Sequence, residues 1–116
     1  MIVATTPFIA GHRVTETKGQ TFGVVVRSRG FSGNLIAGLR SIGGGEIKEY
    51  TELLEDTRRQ ALDRMVQNAT LMGANAVLSM RFDSSALGTT MSEIVAYGTA
   101  VVVEPDASAG LPPAID

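Results

Sequence analysis

The 116-residue sequence contains no cysteine, and its only histidine is His12. Without thiols, the chain can form neither disulfide bridges nor sites that use thiolates as nucleophiles or as zinc or iron–sulfur ligands. A single imidazole also excludes a multi-histidine metal site within one chain. His12 lies beside Arg13 and near Glu16, and a lone histidine without a located partner is more often a structural or surface residue than a ligand or base.

Strong net charge and long apolar runs are also absent. The formal net charge is -2 and the pI is near 5.3, so there is no electrostatic reason to expect nucleic acid or an anionic membrane as a partner. No apolar run approaches the ~20 residues that a membrane-spanning helix needs. The N-terminus has no basic residue ahead of its apolar part and makes a poor signal peptide. We therefore expect a cytosolic protein with no nucleic-acid or membrane partner.

The longest stretch with a regular hydrophobic pattern runs from Glu46 to Gly73 and is amphipathic at helical spacing. Its length corresponds to roughly 40 Å at 1.5 Å per residue, and a β-sheet is the simplest surface that could cover its apolar face. Gly73 is well placed to be the left-handed residue after the helix ends. The apolar stripe consists of Ile47, Tyr50, Leu54, Ala61, Met65, Ala69 and Met72, widened by Leu62 and Val66.

The remaining segments predict strands on both sides of this helix and one short helix before it. Gly19-Gln20 should interrupt the early strand region, and residues 84–90 should form a loop between two antiparallel strands. In the third strand, Leu78 and Met80 should face the same way. The predicted strands are Ile2–Thr6, Thr21–Val26, Ala74–Asp83 and Ser92–Glu104, and the predicted short helix is Phe31–Ile42.

The resulting order, β-β-α-α-β-β, predicts an α+β two-layer sandwich in which an antiparallel sheet packs on one long and one short helix. Residues 1–104 should form a single domain, and residues 105–116 a disordered tail. The segments Val24–Val26 and Ala100–Val103 are apolar on both strand faces, yet the chain has only enough helix to cover one face. We therefore expect the other face to meet another subunit of a homo-oligomer.

Two features near the start of the long helix are candidates for chemistry. The glycine run Gly43–Gly45 resembles a phosphate-cradling loop in outline, but it follows a helix, lacks the P-loop lysine and precedes an acid, so a structural turn is the simpler interpretation. Glu46 and Glu49 are three residues apart and share a helix face. They could act as oxygen ligands to a metal ion or as an acid–base pair. A solvated helix start, favoured by the helix dipole, is the alternative.

Four short phrases occur in a fixed order along the chain. They are Gly43-Gly44-Gly45-Glu46 leading to Tyr50 and Leu53-Leu54; Arg58 with Ala61-Leu62 and Met65; Gly73-Ala74-Asn75-Ala76-Val77; and Ala96-Tyr97-Gly98-Thr99-Ala100-Val101. Together these phrases resemble the YbjQ family, a group of small bacterial proteins that also carries a heavy-metal-binding label, and the match covers about residues 1–104. The resemblance implies a compact α+β subunit assembled as a ring-shaped homopentamer, with a possible divalent metal as cofactor.

The sequence thus favours a non-enzymatic homo-oligomer, a pentamer by resemblance, that binds a metal ion or small ligand between subunits. The candidate metal ligands are Glu46 and Glu49, and the candidate ligand-binding residues are Gly43, Gly44, Gly45 and Tyr50. Two alternatives stay open. One is an enzyme that uses Glu46 with a neighbouring acid or His12 in an intersubunit cleft, and the other is a purely structural or partner-binding ring.

Overall fold

The computed structural model describes residues 1–28, 48–88 and 91–107, without the side chains of Glu49 and Tyr50. This part of the chain forms a sheet with one long helix against it, as an α+β fold requires. The predicted short helix, Phe31–Ile42, lies outside the described residues. The elements are β1 (Ile2–Val3), β2 (His12–Ser28), α1 (Lys48–Leu71), β3 (Ala76–Leu87) and β4 (Met91–Pro105).

The four strands form one mixed sheet in the order β1-β3-β4-β2. β4 is antiparallel to both β2 and β3, which confirms the predicted hairpin between β3 and β4. β1 is parallel to β3, with Ile2 beside Ala76, so the prediction of a wholly antiparallel sheet was wrong. A short loop predicts an antiparallel pair only for strands that follow one another directly in the sequence. β1 and β3 are separated by β2 and α1, and α1 carries the chain back across the sheet to the side of β1.

Two strands are longer than predicted. β2 continues through Gly19-Gln20, and its pairing with β4 shifts register between Val14 and Glu16 and between Thr17 and Gly19. The ladder to β4 outweighs the weak strand propensity of glycine, whose φ of +121° is accommodated at the second shift. β3 runs to Leu87, where it pairs with Met91, so most of the predicted loop at 84–90 is strand.

The main core lies between α1 and one face of the sheet. From the predicted stripe, Ala61, Met65 and Ala69 are completely buried. They pack in one cluster with sheet residues from β2, β3 and β4, among them Val25 and Ala96. Small residues recur on both sides of this contact, so the helix backbone comes close to the sheet.

Polar contacts also attach α1 to β2, which is an edge strand. The buried Thr21 donates from Oγ1 to the carbonyl of Met65 at 3.0 Å. In the opposite direction, Arg64 donates to the carbonyl of Val24 at 2.5 Å, and Asn68 donates to the carbonyl of Phe22 at 2.7 Å. The carbonyls of Val24 and Phe22 lie on the open edge of the sheet, so the helix satisfies groups that would otherwise have only water as a partner.

A bulge in β3 changes which side chains face the helix. The pairing with β4 shifts between Leu78 and Arg81, and Ser79 has a φ of 54°. Met80 consequently joins the cluster under α1, whereas Leu78 belongs to a second cluster on the opposite face. The prediction that Leu78 and Met80 face the same way was therefore wrong, because an extra residue in one strand reverses the alternation beyond it.

The end of α1 has the predicted form. Gly73 has a φ of +85°, which confirms the left-handed residue after the helix, and its amide donates to the carbonyl of Thr70 at 3.0 Å. In the described part of the chain, no helix is both long enough and apolar enough to span a membrane.

Candidate functional site

Most of the predicted ligand residues precede α1 in the sequence. Gly43, Gly44, Gly45 and Glu46 lie outside the described residues. Glu49 and Tyr50 belong to the first turn of α1, and their side chains also lie outside the described part of the chain. The structure therefore places the backbone of two predicted residues on one helical turn, and the proposed ligand set stays a prediction.

The described residues contain no group of three or more His, Asp or Glu side chains that could hold a metal ion. The acids that follow Glu49 on α1 include Glu52 and Glu55, which are exposed, and Asp56, whose Oδ2 lies 3.6 Å from a guanidinium nitrogen of Arg27. Carboxylates contributed by several chains are one way to assemble a metal site from this helix.

His12 is not part of a catalytic arrangement in the described residues. Its Nδ1 lies 3.0 Å from the carbonyl oxygen of Ala10, two residues earlier, and the residue is half-buried at the start of β2. Its neighbour Arg13 instead pairs with Glu104 across the strands. The imidazole therefore contacts the backbone of the turn that precedes β2.

The sheet face opposite α1 has two different ends. At one end, Ala76, Leu78, Val101 and Val103 are buried and form the second cluster of the core. The segment that follows β1 covers this cluster through Ala4 and Ile9. Backbone hydrogen bonds hold the segment along β3, since the amide of Ala4 donates to Val77 at 2.9 Å and the amide of Met80 donates to Ala4 at 3.0 Å.

At the other end, the same face carries an apolar patch, which we define as Phe22, Val24, Val26, Val95 and Tyr97. Phe22 lies directly opposite Tyr97 in the ladder, and Val24 lies directly opposite Val95, so these side chains point the same way. Phe22 is 51% exposed, Val26 49% and Tyr97 36%, while Val24 and Val95 are half-buried. Five contiguous apolar side chains on a sheet face are typical of an interaction surface.

Polar residues of β3 and β4 border the apolar patch. Arg81 pairs with Tyr97 and Asp83 with Val95 in the ladder, and Ser85 donates to Glu93 at 3.3 Å. Arg81 also donates to the carbonyl of Thr5 at 2.8 Å, which ties this border to the N-terminal segment. An apolar centre with a charged rim on one side is the usual composition of a protein–protein interface.

The sequence predicted the doubly apolar strands, but it did not identify Phe22 and Tyr97 as the centre of the exposed surface. The alternation in β2 contained the signal, because Thr21, Gly23 and Val25 face the helix and the residues between them face away. What the alternation could not show is that Val101 and Val103, on the same face, are covered by the chain's own N-terminal segment.

Together, these features define a small α+β protein with a long helix on one sheet face and a partly bare opposite face. Comparison with known proteins gives its family. Residues 1–104 match the family model YbjQ, which is described as "Putative heavy-metal-binding". The chain belongs to this family, also known as UPF0145, which confirms the resemblance seen in the sequence.

The relatives come from both bacteria and archaea, so the expectation of a purely bacterial family was too narrow. A UPF0145 protein of Bradyrhizobium sp. (strain ORS 278) is 67% identical over 105 residues, which cover 90% of this chain and 95% of that protein. One from Methanocella arvoryzae is 57% identical over 112 residues, or 97% of this chain and 93% of that protein. One from Thermoplasma volcanium is 56% identical over 104 residues, or 90% of this chain and 85% of that protein.

A solved structure shares the fold. The crystal structure of a protein of unknown function from Pediococcus pentosaceus, assigned to the DUF74 family, superposes with a TM-score of 0.58. The match covers 90% of this chain and 98% of that one, at 11% sequence identity. This likeness supports the α+β arrangement and says nothing about a ligand.

Proposed function

We propose that the protein functions as a homo-oligomer whose subunits meet on the apolar patch and bind a small ligand or a divalent metal ion at their contacts. The observation that supports association is the pairing of Phe22 with Tyr97 on a sheet face where both remain exposed. Burying such side chains is favourable by about 25 cal/mol per Å² of apolar surface. A ring of five subunits is what the family resemblance implies.

The proposed metal site would be shared by several chains. Glu46 and Glu49 are its candidate ligands, and Glu49 lies in the first turn of α1, where carboxylates are also favoured by the helix dipole. In a ring, each carboxylate is repeated around the axis, so one acid per chain can supply several hard oxygen ligands. Gly43, Gly44, Gly45 and Tyr50 are the candidate contacts to a small ligand. The cytosolic location expected from the sequence stays a prediction.

Association is tested by light scattering coupled to size-exclusion chromatography, with native mass spectrometry giving the subunit count. We expect the wild type to be an oligomer at micromolar concentration and Phe22→Ser to shift its mass towards the monomer. Leu71→Ser is the matched control, because Leu71 is 85% exposed at the end of α1 and lies outside the apolar patch. A monomeric wild type, or equal behaviour of the two variants, would contradict the proposed contact.

Metal binding is tested separately. The purified oligomer is exposed to zinc, copper or nickel, dialysed, and analysed for bound metal. We expect the wild type and Glu52→Gln, which removes an exposed acid of the same helix, to retain metal at a fixed ratio to subunits. Glu46→Gln and Glu49→Gln should lose it. If the wild type retains no metal, the metal part of the proposal fails, while the association result stands on its own.

A further inference from the structure

A separate depression lies between α1 and β3, where Arg58 is held above an aromatic ring. The guanidinium carbon of Arg58 lies 5.4 Å from the centroid of the Phe82 ring. Around this pair is an open depression of about 140 Å³, lined by Arg58, Phe82, Asp83, Ser84 and Ile94. An engineered apolar cavity of roughly 150 Å³ is known to hold benzene, so a ligand of about six non-hydrogen atoms fits this volume.

The register of the sheet explains why these residues meet. Phe82 lies opposite Ala96, which is buried under α1, and Ser84 lies opposite Ile94, which packs against the same core cluster. Residues two apart in a strand share a face, so Phe82 and Ser84 both lie on the helix side of β3. Arg58 lies on α1 one turn before the buried Ala61 and reaches over this part of the sheet.

Arg58 differs from most other cationic side chains of the described chain in having no polar partner there. Arg13, Lys18 and Arg27 each pair with carboxylates. Arg64 and Arg81 donate to backbone carbonyls. Within the same described residues, the guanidinium of Arg58 forms no ion pair and lies over the ring of Phe82. A cation–π contact of this kind uses the face of the ring and forms no hydrogen bond, so the N–H donors of the guanidinium stay available.

We infer that this depression binds a small organic carboxylate, with Arg58 as the residue that recognises it. The planar edge of a guanidinium matches the two oxygens of a carboxylate and can form two parallel hydrogen bonds. Ser84 adds a hydroxyl that can donate, and Phe82 with Ile94 provides an apolar wall for a short hydrocarbon chain. Inorganic phosphate has no hydrocarbon part for this wall to contact, so it should bind more weakly than a carboxylate with an apolar chain. The site lies within one chain and does not require the proposed association.

The test uses the full-length protein and isothermal titration with sodium butyrate, sodium phosphate and n-butanol as probes. We expect saturable binding of butyrate to the wild type, weaker binding of phosphate, and no binding of butanol. Arg58→Gln should weaken butyrate binding at least tenfold. Arg59→Gln is the matched control, since it removes the same charge from the next, exposed position of α1 and should bind butyrate like the wild type.

Several results would overturn this assignment. They are an absence of saturable butyrate binding to the wild type, equal affinity in Arg58→Gln, or binding of butanol as strong as that of butyrate. Tighter binding of phosphate than of butyrate would reject the carboxylate as the ligand. Light scattering on Arg58→Gln provides a second measurement. If the wild type binds no butyrate and the mass of the Arg58→Gln oligomer falls, the partner of Arg58 is a carboxylate of a second copy of the chain.

Discussion

Gly23 of β2 lies so close to the carbonyl oxygen of Ala61 in α1 that a Cβ atom on Gly23 would overlap it. The same Cβ would also overlap the amide nitrogen of Met65, one turn further along the helix. Both obstacles are backbone atoms of a helix, which cannot rotate away as a side chain could. The absence of a side chain at position 23 therefore sets the distance between α1 and the sheet.

We expect Gly23→Ala to destabilise the fold by about 1–3 kcal/mol or more, because the helix must move away from β2 and lose its contacts with Thr21 and Val25. Urea unfolding monitored by circular dichroism measures this change. Gly88→Ala is the control: a Cβ there meets nothing within 4 Å, but φ is +67°, so only backbone strain of roughly 1 kcal/mol applies. A smaller loss for Gly23→Ala than for Gly88→Ala would contradict the close approach.

The side-chain amide of Asn75 forms two hydrogen bonds with the backbone of Val103, as a residue of a neighbouring strand would. Its Nδ2 donates to the carbonyl of Val103 at 2.9 Å, and its Oδ1 accepts from the amide of Val103 at 2.8 Å. We expect Asn75→Asp to destabilise the fold by about 1–3 kcal/mol, because a carboxylate would face the carbonyl oxygen that Asn75 now satisfies. Chemical denaturation of this variant beside Gln67→Glu, which adds a charge at an exposed helix position, tests the claim. Equal stability of the two variants would argue against it.

Sequence patterns within single segments were enough to predict several parts of the fold. Gly73 follows a long apolar stripe, and only a helix end explains a glycine at that place, so the left-handed turn could be inferred. The burial of Ala61, Met65 and Ala69 followed from their spacing of four residues. The hairpin of β3 and β4 followed from two apolar segments separated by a short polar one. In each case, the signal lies within one segment of the chain.

The features that escaped prediction depend on distant residues. The parallel pairing of β1 requires the chain to return beside Ile2 after some 70 residues, and no local pattern records that. The bulge at Ser79 has a positive φ without the glycine or asparagine that usually marks one. The bare surface at Phe22 could be located only once the path of the N-terminal segment over Val101 was known. For the proposed metal and ligand residues, the sequence remains the basis.

Lys18 supplies a positive charge at the C-terminal end of α1, where the last turn of the helix has no basic residue of its own. The Nζ atom of Lys18 would lie 3.6 Å from a Cβ on Gly73, which places the ammonium at the negative end of the helix dipole. We expect Lys18→Gln to lower the free energy of unfolding by about 0.3–1 kcal/mol, with a smaller effect at high salt. Lys48→Gln, at the opposite end of α1, should be neutral or slightly stabilising. Equal losses from both variants in thermal unfolding would rule out the dipole as the cause.

The bulge at Ser79 sets which β3 side chains lie under α1, and its geometry makes a matched pair of substitutions informative. The amide of Ser79 donates to the carbonyl of Thr6 at 2.9 Å, so the strained residue is held by the N-terminal segment. Asparagine tolerates the left-handed conformation, whereas a β-branched residue at φ 54° is strongly disfavoured. We therefore expect Ser79→Asn to preserve stability and Ser79→Val to reduce it by roughly 1–2 kcal/mol. If Ser79→Val were the more stable of the two in urea, β3 would have to run through position 79 without a bulge, and Met80 would then leave the core beneath the helix.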